Sequence, residues 1–115
     1  MPLLEITTNL ARSKIPHDFV KLTVDLVANL LGKPKKRVVV AIRPDCIMSH
    51  GGEDDVTAIV HLTSIGKIDR DMNKETSAAL YPHLEQHLGI KGENIVTVFH
   101  DAKGENIANN GITFG

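Results

Sequence analysis

Pro2 stands directly behind Met1, and removal of that methionine would leave a secondary amine on the first residue of a strand, a place where proline is tolerated. A neutral amine is a proton acceptor. An α-amino group titrates near ~8 in water, and an apolar pocket with a cation beside it lowers that value toward ambient pH, where a general base works best. Lys33 follows Gly32 and could supply such a cation, although a lysine at that point also favours the end of a helix. Ser64-Ile65-Gly66 closes an apolar run, and the glycine there permits close backbone approach and leaves an amide to meet a ligand. Taken singly, each of these residues also has an ordinary structural explanation.

Other reactive side chains point to less. His83 and His87 are four apart and share one helix face, as two metal ligands would, but HLEQH misplaces the glutamate of the zincin pattern and no third ligand is evident. They read as an exposed polar face, and no metal is expected. His50, next to Gly51-Gly52 and followed by Glu53, Asp54 and Asp55, reads as turn chemistry. Cys46 lacks an evident basic partner and, as the only cysteine, forms no intrachain disulfide. KPKKR at 33–37 is basic but short, and reads as a solvated loop.

Composition removes further classes. A formal net charge of -1, with acids and bases interspersed, lacks the basic excess of a nucleic-acid footprint. Phe19, Tyr81, Phe99 and Phe114 are the only aromatic residues, too few for a base-stacking surface. No apolar run reaches the ~18 residues of a membrane span, and MPLLEITTNL has neither the basic region nor the apolar core of a secretory signal. No nucleophilic triad, P-loop or dinucleotide fingerprint is present, and no cofactor is expected.

The elements that must position these residues follow from periodicity. Residues 2–8 read as a strand, and Pro16 opens a helix whose apolar face is Phe19, Leu22, Leu26, Val27, Leu30 and Leu31, ending near Gly32. Residues 37–43, RVVVAIR, read as a strand buried on both faces. A strand at 56–65, a helix at 69–88, a strand at 94–100 and a tail with the hairpin dipeptide Asn110-Gly111 complete the order. Sliding the chain along itself places LGKPKKRVVVAIRPD from Leu31 on LGIKGENIVTVFHDA from Leu88, so Gly32 falls on Gly89 and Val39 on Val96. The expected fold is one α/β (α+β) domain over 1–115. It has two pseudo-symmetric β-α-β units, a four-stranded mixed sheet with both helices on one face, and short C-terminal strands.

Together these signals occur in a fixed order: Met-Pro, TNL at 8–10, LGKP at 31–34, HGG at 50–52, SIGKI at 64–68 and NNGITF at 109–114. In that order, end to end, the chain resembles the macrophage migration inhibitory factor and D-dopachrome tautomerase family. The resemblance implies a homotrimer and a cofactor-independent keto–enol tautomerase of the phenylpyruvate or dopachrome type, with Pro2 as general base and acid toward a small α-keto acid. Lys33 then pairs with the substrate carboxylate and helps keep the amine neutral. Ser64 and the Ile65 amide hold the substrate oxygens, Arg37 stands where the D-dopachrome branch carries arginine, and Ile107 and Phe114 line the pocket.

The same resemblance implies a cytokine-like factor, cytoplasmic and exported without a signal peptide, with the invariant chain or a chemokine receptor as partner. Arg12 and Asp45 match a charged pair invoked in receptor mimicry. Val96 and Val98 replace a tyrosine and an asparagine at the pocket's far end, which implies a drier end and a preference for phenylpyruvate over its hydroxylated analogue. Thr57 and Val60 replace the two cysteines of a Cys-x-x-Cys motif, which removes a thiol oxidoreductase activity.

Overall fold

The computed structural model describes residues 1–115. Strand β1 (Leu3–Thr8) lies at the centre of a four-stranded sheet, parallel to β2 (Val39–Arg43) and antiparallel to β3 (Ala58–Ser64), which in turn runs parallel to β4 (Ile95–Asp101). The spatial order is β2-β1-β3-β4. Each parallel pair is joined by a crossover helix, α1 (Phe19–Leu31) or α2 (Arg70–Leu88), so the two expected units meet along the antiparallel β1–β3 ladder. A two-residue hairpin, β5 (Ala108–Asn109) and β6 (Ile112–Thr113), turns at Asn110 and Gly111, both with positive φ as its turn requires.

Alternation along the strands decides which face is covered. Leu4, Ile6 and Thr8 of β1 and Ala58, Val60, Leu62 and Ser64 of β3 are buried. They form one core with Phe19, Val27 and Leu31 of α1 and Leu80, Leu84 and Leu88 of α2. The intervening positions line an opposite face that carries no helix, and Val39, Ile59, Val96 and Val98 are exposed there.

Four expectations need correction. Residues 39–43 are an edge strand and not one buried on both faces, because β2 has a neighbour only in β1 and Val39 is 52% exposed. Pro16 opens a turn, closed by Phe19 N–H donating to its carbonyl at 3.1 Å, and the helix begins only at Phe19. The buried stripe of α1 runs Phe19, Thr23, Val27 and Leu31 at steps of four, while Leu22 is exposed. Thr23 is tolerated there because its hydroxyl donates to the Phe19 carbonyl at 2.7 Å.

The fourth concerns His83, which is not part of an exposed polar face. Its ring lies against Phe19, with centroids 5.9 Å apart, and its Nε2 is 2.9 Å from the Thr23 hydroxyl. Since that hydroxyl spends its proton on Phe19, it accepts from His83 Nε2–H, and the bond ties the two helices together. Burial, and then the nearby His87, hold the His83 pKa below its ordinary value.

Candidate active site

Pro2 is fully buried at the start of β1, and its carbonyl accepts from Val39 N–H at 3.0 Å, which locks the strand start to β2. Leu3 pairs with Thr63, so continuing the antiparallel register by one residue brings Pro2 opposite Ser64 on the helix side of the sheet. Ser64 is also fully buried, and its hydroxyl oxygen has no hydrogen-bond partner within the chain. A buried, unpaired hydroxyl costs about 1–3 kcal/mol, so one placed beside a proline amine is a candidate ligand contact.

The cation arrives from the end of α1. Gly32 adopts the left-handed conformation that stops the helix, and Lys33 leaves the turn toward β3, where its Nζ donates to the Ile65 carbonyl at 3.3 Å. Beyond Ile65 the chain reverses through Gly66 and Lys67, both at positive φ. Glycine adopts that geometry freely, whereas a lysine there is uncommon, and sequence reading gave no sign of it.

Arg37 ends the short turn Lys35–Arg37 and places its guanidinium carbon 5.4 Å from the centre of the Phe114 ring, a cation–π distance. Phe114 is held by its own N–H, which lies 3.1 Å from both the Ile107 and the Gly104 carbonyl. A concavity of about 290 Å³ opens there, lined by Lys36, Arg37, Asn109, Ile112, Thr113 and Phe114. Lys36 and Asn109 were not anticipated, because only the docking of the C-terminal hairpin brings them beside Arg37. The volume is at the lower limit of small-molecule sites, about 300 Å³.

Charge and burial converge on the terminal amine. Its pKa is held below the usual α-amino value by desolvation first, then by the positive charges of Lys33 and Arg37. The Pro2 nitrogen is one residue further in, so a terminus at Pro2 would carry its amine into the same field.

Pro2, Ser64, Ile65 and Lys33 therefore gather at one end of the sheet, with Arg37, Ile107 and Phe114 at its rim. Val96 and Val98 do not join them within a single chain. Val96 pairs with Ile59, itself opposite Thr7, near the other end of the ladder from Pro2, and both valines lie on the bare face. Elsewhere, His50 closes a turn with Glu53 through Gly51 and Gly52. Arg12 lines a groove with Pro44, while the backbone N–H of Asp45 donates to Leu10. Cys46 Sγ lies 3.4 Å from the Arg43 carbonyl. Lys35 turns away from the amine to pair with Asp25 at 2.8 Å, so the basic run 33–37 is divided between site and solvent.

Comparison with known proteins identifies the family and the fold. The family model described as "Macrophage migration inhibitory factor (MIF)" matches residues 1–115. A macrophage migration inhibitory factor homolog of Trichinella spiralis is 37% identical over 99% of this chain and 100% of its own length, and macrophage migration inhibitory factor of Xenopus tropicalis is 34% identical over 99% of each. Among solved structures, the Trichinella spiralis factor superposes with a TM-score of 0.95 at 36% identity, covering 97% of this chain and 99% of the other. A homologue from Prochlorococcus marinus gives 0.90 at 30% identity, covering 98% and 99%. With the family model matched from end to end and relatives above 30% identity over nearly the whole length, this chain belongs to the macrophage migration inhibitory factor family.

Proposed function

We propose that the chain is a cofactor-independent keto–enol tautomerase in which the Pro2 amine, exposed by loss of Met1, moves a proton between carbon and oxygen of a small α-keto acid such as phenylpyruvate. The observation that carries this reading is the field around the Met1 amine, one residue before Pro2: desolvation, then Lys33 and Arg37, disfavour its protonated form, and a terminus at Pro2 would sit in the same surroundings. A base kept neutral near ambient pH can accept the proton alpha to a carbonyl and return it to the other end of the enol. Lys33 pairs with the substrate carboxylate, releasing the Ile65 carbonyl it now contacts, and Ser64 offers the substrate oxygen a hydroxyl that has no partner of its own.

The reading includes a homotrimer. One chain offers only a shallow concavity by Arg37, and Val96 and Val98 stand on an edge strand away from Pro2, so the pocket is completed when a neighbouring copy brings its β4 to the Pro2 end. The resulting wall has valines where a phenol would seek a hydrogen bond, which favours phenylpyruvate over its hydroxylated analogue.

The name migration inhibitory factor carried by the relatives supports a second role as a cytokine-like factor; the proposed second role includes export from the cytoplasm and a receptor of the invariant-chain or chemokine type. The groove lined by Arg12 and Pro44, next to Asp45, is the surface for that role.

A phenylpyruvate tautomerisation assay tests the first reading on protein whose intact mass shows a start at Pro2, with Pro2→Gly alongside. The variant is expected to lose about 10²-fold or more in kcat/KM, the usual contribution of a positioned base. Equal activity in the variant would refute the proline mechanism, and an inactive processed wild type would favour receptor binding alone.

A further inference from the structure

The bare face of the sheet carries a second constellation, on the side opposite Pro2. His61 of β3 and His100 of β4 stand on adjacent parallel strands, one pleat apart, since His61 is opposite Val98 and Thr63 opposite His100. His61 Nδ1 and His100 Nε2 face each other across 2.7 Å, and the ring planes are inclined by only 19° with centroids 5.0 Å apart. The nitrogen gap lies nearly along the line of the two centroids, so the rings meet end to end and the facing nitrogens share one proton in an N–H···N hydrogen bond.

We propose that His61 and His100 form a binding site for a divalent transition-metal ion, copper(II) or zinc. Neutral imidazole nitrogens suit these ions. Two ligands at ~2.0–2.1 Å from one ion, at tetrahedral or square angles, are roughly 2.8–3.4 Å apart, so the pair opens by a few tenths of an ångström and each ring swings by roughly 35–45° to aim its lone pair at the ion. The parallel ladder holds both Cα atoms, which leaves that adjustment to the half-buried His61 ring and the exposed His100 ring. In the metal-free pair one facing nitrogen carries the proton. Binding moves that proton to the remote nitrogen of the same ring, so a neutral pair takes up the ion with no net proton release.

Glu5 stands opposite His61 on β1 and is paired with Arg43 at 3.0 Å, so the two charges offset each other beside the site. No third His, Cys, Asp or Glu side chain converges on the same point, which leaves the remaining positions open to water or an external donor. The other histidine pair is poorly placed to compete, because His83 spends its Nε2–H on Thr23. The proposal does not rest on the tautomerase reading, although Val98, assigned there to the pocket wall, is the cross-strand neighbour of His61.

Zinc chloride and copper(II) sulfate are titrated calorimetrically into full-length chain freed of metal with EDTA, in a non-chelating buffer at neutral pH. One zinc per chain is expected, with copper bound more tightly, as the general ordering of these metals requires. His61→Ala and His100→Ala should each weaken zinc binding at least tenfold while the metal-free melting temperature stays that of the wild type, and His87→Ala should leave the affinity unchanged. Electron paramagnetic resonance of the wild-type copper form provides a readout that needs no variant, and coupling to two imidazole nitrogens is expected. Wild-type zinc affinity in either the His61 or the His100 variant, or no zinc binding by the wild type, would overturn the proposal.

Discussion

The chain builds the same helix-to-strand junction twice and uses it for different ends. α1 ends on Leu31 and is followed by left-handed Gly32, Lys33, a turn at Lys35–Arg37 and buried Val38; α2 ends on Leu88 and is followed by left-handed Gly89, Ile90, a turn at Gly92–Asn94 and buried Ile95. The two glycines have φ of 63° and 67°. The residue after each glycine differs in kind. Ile90 is 1% exposed and plugs the core, whereas Lys33 reaches the Ile65 carbonyl and helps hold the terminal amine's pKa down. A repeated backbone thus supplies the scaffold, and one side chain decides whether the junction closes the core or charges a site.

The comparison breaks most visibly when the second junction is given the first one's residue. Ile90→Lys buries an ammonium without a partner and should lower unfolding free energy by at least about 3 kcal/mol, read as a fall in the urea midpoint. The reverse exchange, Lys33→Ile, should leave stability nearly unchanged and remove a charged contact to substrate worth about 1.5–3 kcal/mol, or roughly 10- to 150-fold in kcat/KM for phenylpyruvate. The same variant carries a pH signature. Lys33 disfavours the protonated amine, so its loss raises the amine pKa, and the acid limb of the kcat/KM profile moves to higher pH. A limb that moved downward would mean that Lys33 does not act on the base. The smallest effect tests the shared scaffold. Gly32→Ala and Gly89→Ala should each cost about 1–2 kcal/mol, because a Cβ at either position meets no neighbour and only the left-handed backbone is penalised. Unequal costs would mean that the two junctions are alike only in outline.

Much of this was legible in the sequence because local signals agreed with the fold. Periodicity marked both helices, glycines marked their ends, Asn110-Gly111 marked the hairpin, and the self-match at Leu31 and Leu88 located the repeated junction. Properties that depend on tertiary neighbours were not legible. Whether 39–43 is central or an edge depends on strand order, which its apolar run does not encode. The burial of His83 depends on a threonine in the other helix, and the His61–His100 pair depends on the register between β3 and β4. For the candidate site, the order of motifs along the chain is what nominates the residues. The unpaired Ser64 hydroxyl and the Lys33–Ile65 contact needed the fold itself, as did the distance of Val96 from Pro2.

The two outer strands have a consequence for how the protein persists at low abundance. Both β2 and β4 end the sheet with a free edge, and Val39, Val96 and Val98 stand beside those edges half-uncovered. Whatever caps such an edge binds the folded chain and not the unfolded one, so it shifts the folding equilibrium by mass action. If the cap is another copy, resistance to unfolding rises with the protein's own concentration, and dilution alone exposes each copy to misfolding and proteolysis.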